Sequence, residues 1–525
     1  MNADPAAGLG EWRRLHRHTV LVTTLTLAGI GVSIAAPIVL GMLRNDRPAG
    51  PVLVIAIAGV LVLTAVGALV DRLRWRHTTY RVTDERVELR YAWVLHKLRS
   101  IPRERVRTVD LTANPLLRAF GLAKVKIGTG QQVTGQQGHL TLDPVGRAHA
   151  EELRRLLLDR PAPPGPATTP ATPPGPSATP SATRPTAPAA AGRPLAELDW
   201  AWLRYAPISV TTPLLGAAAF GAVMQVSEWF DLQGAVFRTV RDMFGGLPLV
   251  GLIAVLVAAG LVVGFVGSLL LFVEMWWRYR LTREHGALRV HRGLLTTRSL
   301  SLEQRRLRGV DVFEALAWRV LGAARVDVVA TGLRVRSNRE RSDPKTLLPA
   351  APLAIAHRVA ADVLGASALS DVDIRPHPRA ARTRRLVWAL LGVFLVVAVL
   401  AVLGLLLTVV LLHMAWIAAV VLTPPAIALA LDDYRNLGHG LSGDYVVTRY
   451  GAGSRHTVAL LRGGVIGWTV RSSPFQRRAG LVTIAATTAA NTGQYLVRDV
   501  GESEGLRLAA EAVPGLLTPF LQPRR

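Results

Sequence analysis

The chain has 525 residues, half of them hydrophobic, with a mean hydropathy of +0.31 and a formal net charge of +25. That is too apolar for an ordinary soluble protein and too charged for a bare bundle of membrane helices, so membrane spans mixed with soluble modules fit best. There are no cysteines, which excludes disulfides, thiolate metal sites and cysteine nucleophiles, and the basic excess points to nucleic acid or an anionic membrane surface as neighbour.

Six apolar runs follow along the chain, at 19–43, 52–70, 206–226, 247–273, 386–412 and 415–431, and none contains Lys, Arg, Asp or Glu. A helix needs about 20 such residues to cross the hydrocarbon core. The runs therefore predict six transmembrane helices in three hairpins, 19–70, 206–273 and 386–431. In the last pair, Pro424 and Pro425 argue against one continuous helix.

The connections inside the hairpins hold Arg44, Arg47, Arg238 and Arg241, whereas nearly all other basic residues lie on the opposite side. Arg13, Arg14, Arg17, Arg72, Arg74, Arg76, Arg382, Arg384 and Arg385 flank the spans there. Basic flanks stay cytoplasmic. The expected protein is thus multi-pass in the plasma (inner) membrane, with the N-terminal segment 1–18, the C-terminus and all three large segments cytoplasmic. Topology and the anionic inner leaflet then account for much of the charge. Anionic inner-leaflet lipid is the expected partner and nucleic acid is not.

The first large segment, 72–160, carries short alternating runs at 80–83, 86–90, 94–101, 106–111 and 123–127, which read as strands. Asp143 as cap and Pro144 in the first turn predict a helix through Leu158. Residues 161–194 are rich in Pro, Ala and Thr and read as an extended linker. The second hairpin has an outer loop, 227–246, whose spacing predicts a short surface helix. The second segment, 276–368, repeats the strand rhythm and ends in a helix over 352–364. Its basic stretch 334–345 reads as a solvated loop, with lipid headgroup contact as the sharper alternative. The third segment, 432–520, is the least typical, with a helix predicted over 506–517. Asp432 and Asp433 open it as a solvated interfacial pair.

Self-comparison shows an internal repeat. Tyr80, Arg105, Asp110, Arg118 and Gly121 match Tyr279, Arg306, Asp311, Arg319 and Gly322. A worn third copy keeps Arg477 and Gly480 but has Thr469 in place of the aspartate. The pattern Y-R-[VL]-T, then S-[IL]-x-x-x-R-[VL]-x-x-V-D-[VL], then R-x-x-G-x-A-x-V resembles the bacterial pleckstrin-homology-like (PH-like) membrane proteins of the YdbS/YdbT type, as does the alternation of paired spans with soluble modules. The resemblance implies an α+β membrane protein. Each hairpin would be followed by a cytoplasmic bent β-barrel, capped by a C-terminal helix. It also implies a smaller membrane protein of the same family as partner and a role in the cell envelope, including tolerance of membrane-active peptides.

The repeated residues have structural readings. The glycines suit tight turns, and Arg118 and Arg319 are expected to pair with Asp110 and Asp311. The third copy, which kept the arginine without the aspartate, counts against that pairing. No HExxH, GxSxG or phosphate-binding loop is present, so no enzyme, catalytic residue, cofactor or metal is expected. The function expected is a membrane scaffold presenting interaction modules. The alternative is a transporter or lipid-handling machine built on the six spans, although charge-free spans argue against ion coupling.

Overall fold

The computed structural model describes residues 11–44, 48–83, 85–92, 96–106, 108–128, 139–158, 193–209, 211–229, 232–284, 286–331, 345–366, 369, 372–490 and 493–516. In chain order, β1 (Arg13–Arg14) leads into α1 (Thr19–Arg44), which packs against α2 (Ala49–His77). The first module follows: β2 (Thr78–Val82), β3 (Arg86–Ala92), β4 (His96–Pro102), β5 (Thr108–Ala113), the short α3 (Pro115–Ala119), β6 (Leu122–Gly128), β7 (His139–Gly146) and a closing helix, α4 (Arg147–Leu158). Next come β8 (Arg193–Glu197), α5 (Thr211–Trp229), α6 (Gln233–Phe244) and α7 (Leu249–Trp276). The second module is β9 (Arg280–Glu284), β10 (Ala287–Arg292), β11 (Thr297–Glu303), β12 (Leu307–Ala315), α8 (Leu316–Val320), β13 (Ala323–Ala330), β14 (Thr346–Pro352) and α9 (Leu353–Leu364). After α10 (Arg379–Leu406) and α11 (Val409–Arg435), the third comprises β15 (Gly438–Ser442), β16 (Tyr445–Tyr450), β17 (Ser454–Leu461), β18 (Val465–Arg471), α12 (Pro474–Arg478), β19 (Leu481–Thr488), β20 (Gln494–Gly501) and α13 (Glu502–Ala512).

Among the described residues, five helices are long and apolar enough to cross a membrane: α1, α2, α7, α10 and α11. The 19-residue α5 is not among them, although it packs against α7. A Cβ on Gly216 would lie 2.1 Å from the Gly260 carbonyl oxygen, and one on Gly264 equally near that of Thr212. Glycine is thus what lets these two backbones approach. The outer-loop helix is present as α6.

Several sequence expectations are corrected. The break in the last pair falls at Leu407 and Thr408, and Pro424 and Pro425 lie inside α11. The turn is tight enough that a Cβ on Gly404 would come within 2.7 Å of the Leu412 nitrogen. Asp143 and Pro144 belong to β7, because its ladder with β6 continues to Leu122 opposite Gly146, and the helix starts only at Arg147. The last helix ends earlier than expected and begins right after Gly501, with Glu502 and Glu504 in a first turn that favours carboxylates. Arg193 and Pro194, read as linker, pair in β8 with β9. The rest of the linker, and the basic stretch except Lys345, lie outside the described residues.

Among the described residues the strands form four antiparallel sheets whose boundaries do not coincide with the modules. Their orders are β1-β2-β3-β4, β7-β6-β5-β11-β10-β9-β8, β14-β13-β12-β17-β16-β15 and β18-β19-β20. Each module thus contributes its first strands to one sheet and its last three to the next. Instead of a barrel closed on itself, the back sheet of the first module continues into the front sheet of the second, and the second into the third. The cores follow suit at the second boundary only. Val87, Val109, Val125, Leu142 and Leu153 fill the first module, whereas the core around Val310, Val326 and Val359 of the second takes in Tyr445, Val447 and Ala459 of the third. Burial of that apolar surface contributes about 25 cal/mol per Å², and part of it depends on the neighbour being in place.

Candidate interaction site: the joints between modules

The first joint is the β5–β11 ladder, with Asp110 opposite Leu300 and Leu111 opposite Ser299. Around it, Arg306 donates to the Val106 carbonyl at 3.3 Å and Arg118 to the Leu294 carbonyl. A four-charge group closes one side. Arg154 of α4 is buried and bonds Glu151 at 2.8 Å and the Ser301 hydroxyl at 3.2 Å. Arg289 of β10 reaches the same Glu151 at 2.9 Å and Glu284 at 3.6 Å. Burial alone would raise the Glu151 carboxyl, but the Arg289 and Arg154 guanidiniums more than offset this and hold it below the ordinary value. Its contribution to the joint is therefore present at neutral pH and lost as acid protonates it through that lowered value.

The second joint repeats the first in register: Asp311 lies opposite Val458 and Val312 opposite Thr457 along β12–β17. A Cβ on Gly309 would sit 2.0 Å from the Ala459 carbonyl oxygen, so only glycine allows the strands this approach. Glu314 is buried and held by both arms of Arg455 at 2.8 and 2.6 Å. His456 stands 3.0 Å from the Asp311 carboxylate. Arg319 makes a bidentate pair with Asp432 at 2.9 and 3.1 Å, and Asp432 also accepts from the Gly453 amide.

The repeated residues now have places. Tyr80 and Tyr279 are buried. Burial pushes the Tyr80 phenol up to about 12, and Tyr279 donates to the Leu347 carbonyl. Gly121, Gly322 and Gly480 all take positive φ, 66°, 65° and 64°, at the turn after the short helix. Asp110 and Asp311 lie on the joint strands. The expected local pairing with Arg118 and Arg319 is corrected, because both arginines reach forward into the following module. That explains why the third copy could lose the aspartate and keep Arg477, which is exposed. The side chain of Arg105 lies outside the described residues. Asp432 and Asp433 are not a solvated pair: the first holds Arg319 and the second Arg385. Sequence reasoning did not find Glu151, Arg154, Glu314 or Arg455, since none recurs in the repeat.

A second feature lies where the third module meets its helices. A cleft of about 710 Å³ opens between α10, α11 and the last sheet, with Arg384, Trp388, Leu429, Arg471 and Arg498 on its walls. At its base Asp499 is buried, 2.7 Å from Arg384 and 3.1 Å from Arg385, and accepts from Gln476 at 2.7 Å. Among the described residues no group of three or more His, Asp or Glu is placed to hold a metal ion.

Next to this cleft, His377 is buried 3.0 Å from the ring of His439. Burial, and then the neighbouring His439, push it down to about 4. Its neutral form is the one folded in, so stability is full above pH 6.5 and falls as pH drops from there towards 4, by on the order of 3 kcal/mol. His377→Phe should flatten this dependence in thermal unfolding between pH 4 and 7. An unchanged slope would remove His377 as its source.

The fold and its joints define a membrane protein with bacterial PH domains: the family described as bacterial PH domain matches residues 25–161 and 388–512. The second match falls on the third module, expected from sequence to be the least typical. The chain is YdbT-like. It is similar to the transmembrane protein YdbT of Bacillus subtilis (strain 168), at 20% identity over 285 residues, 54% of this chain and 55% of that protein. The chain thus spans about half the length of the curated relative it matches. No solved structure matches.

Proposed function

We propose that the chain is a non-enzymatic scaffold of the bacterial cell envelope. In this reading six spans in three hairpins hold three PH-like modules on the cytoplasmic face of the plasma membrane, with both termini inside. The observation that carries it is the pair of joints: all three modules share sheets, and the second and third also share a core, as suits a rigid platform more than independent binders on tethers. Basic residues flanking the spans favour the cytoplasmic side, and α5 pairs with α7 as the other helices do with their partners. The platform would bind a smaller membrane protein of its own family and anionic inner-leaflet lipid. The cleft beside α10 suits the lipid, since its arginines stand where the apolar run of that helix begins and Leu429 offers an apolar wall.

Two experiments test this. Loss of the gene should sensitise cells to membrane-active peptides, and unchanged survival counts against an envelope role. The protein in nanodiscs of equal phosphatidylethanolamine and phosphatidylglycerol should retain phosphatidylglycerol in native mass spectrometry, and Arg471→Gln with Arg498→Gln should reduce that retention several-fold. Equal retention of both lipids would remove the lipid role. Lipid or solute movement in reconstituted vesicles would favour the transporter instead.

A further inference from the structure

The two joints are one interface used twice. In each, the strand after a module's short turn pairs with the third strand of the next module, and in the same register: Asp110 faces Leu300 and Asp311 faces Val458 at matching repeat positions. The series leaves two halves of that interface over. β4 is the counterpart of β11 and β17, and it forms the outer edge of its sheet. β18 is the counterpart of β5 and β12, and it too is an outer edge.

Both edges carry side chains that the filled joints bury. Leu98 on β4 is 60% exposed, where its equivalents Ser299 and Thr457 are 5% and 9% exposed. Val470 on β18 is 44% exposed, where Leu111 and Val312 are 8% and 0% exposed. Open apolar edges invite strand addition. Arg477 makes the same point. Its equivalents Arg118 and Arg319 each hold the next module, whereas Arg477 is exposed and has no partner among the described residues.

We propose that the chain self-associates head to tail, with β18 of one copy adding to β4 of a second copy through a third use of the same joint. This goes beyond the scaffold reading by naming the occupant of the free edges. A second copy is favoured because both complementary halves lie on this one chain, and such heterologous contacts generate rings or open strings. The repeated register sets Thr469 opposite Arg99 and Val470 opposite Leu98.

The absence of cysteine makes the test clean. Two differently tagged full-length copies, one with Leu98→Cys and one with Val470→Cys, are co-expressed and oxidised in native membranes. A disulfide between the two tags is expected, with little from Leu98→Cys against Ile466→Cys, four residues out of register. Adding Arg477→Glu, a change at an exposed site, should lower the linked fraction about tenfold, and wild-type protein in nanodiscs should show masses above the monomer. No link between tags, equal links in both registers, or capture of a different protein by Val470→Cys would each overturn head-to-tail self-association. The scaffold reading would survive all three.

Discussion

Arg455→Met is expected to cost about 3–5 kcal/mol, and the loss should appear in the second and third modules together. Glu314 is buried between β12 and β17, and both its oxygens are held by Arg455. Removing the arginine leaves a carboxylate without its partner away from water, the expensive half of breaking a buried pair. The prediction has a built-in control. Glu314→Leu combined with Arg455→Met removes both charges, and replacing a buried pair by apolar groups is often neutral or better. Hydrogen exchange of the full-length protein would read the outcome: protection along β12 and β17 should fall in the single variant and return in the double. The first module shares no strand with this joint and should change least. If β17 alone loses protection, the joint is a contact between independent domains instead of a shared sheet.

Asp499→Asn should have an effect of the same size in a different place. Asp499 is buried and gathers Arg384, Arg385 and Gln476, so it ties the last strand and the short α12 to the start of α10. Neutralising it leaves Arg384 without its carboxylate and Arg385 with Asp433 alone, beside the apolar part of a membrane helix, so the loss falls towards the lower end of about 3–5 kcal/mol by the cost of an unmatched buried charge. The third module should loosen from its helices, with earlier protease cleavage between 471 and 501 and intact protection around β5. Asp499→Leu with Arg384→Leu should recover part of the loss. Unchanged cleavage in Asp499→Asn would mean that packing alone, through Ala381, Leu437 and Leu481, seats the module.

These predictions rest on interactions that the sequence reading did not find, and the reason is physical. Alternation along β5 says that one face is buried, but hydrogen bonds at a strand edge leave no trace in side-chain periodicity. Nothing in 108–113 tells whether the neighbour is a strand of the same module or one that begins at Thr297. The repeat did mark Arg118 and Arg319. It misdirected their pairing because Asp110 and Asp311 are near in sequence, whereas the true acceptors, the Leu294 carbonyl and Asp432, lie in or just before the next module. The third copy held the clue, having kept the arginine without the aspartate.

By itself the sequence determined that this is a membrane protein, that apolar helices alternate along it with a recurring strand-rich module, and which glycines make its turns. Those properties are local: hydrophobic length, strand period and the need for positive φ are written in consecutive residues. Only the tertiary structure decided that the modules share sheets, that Arg118 and Arg319 are clasps between them, and that β4 and β18 are left with open edges. Each depends on groups that approach one another across long stretches of chain, where geometry alone selects the partner.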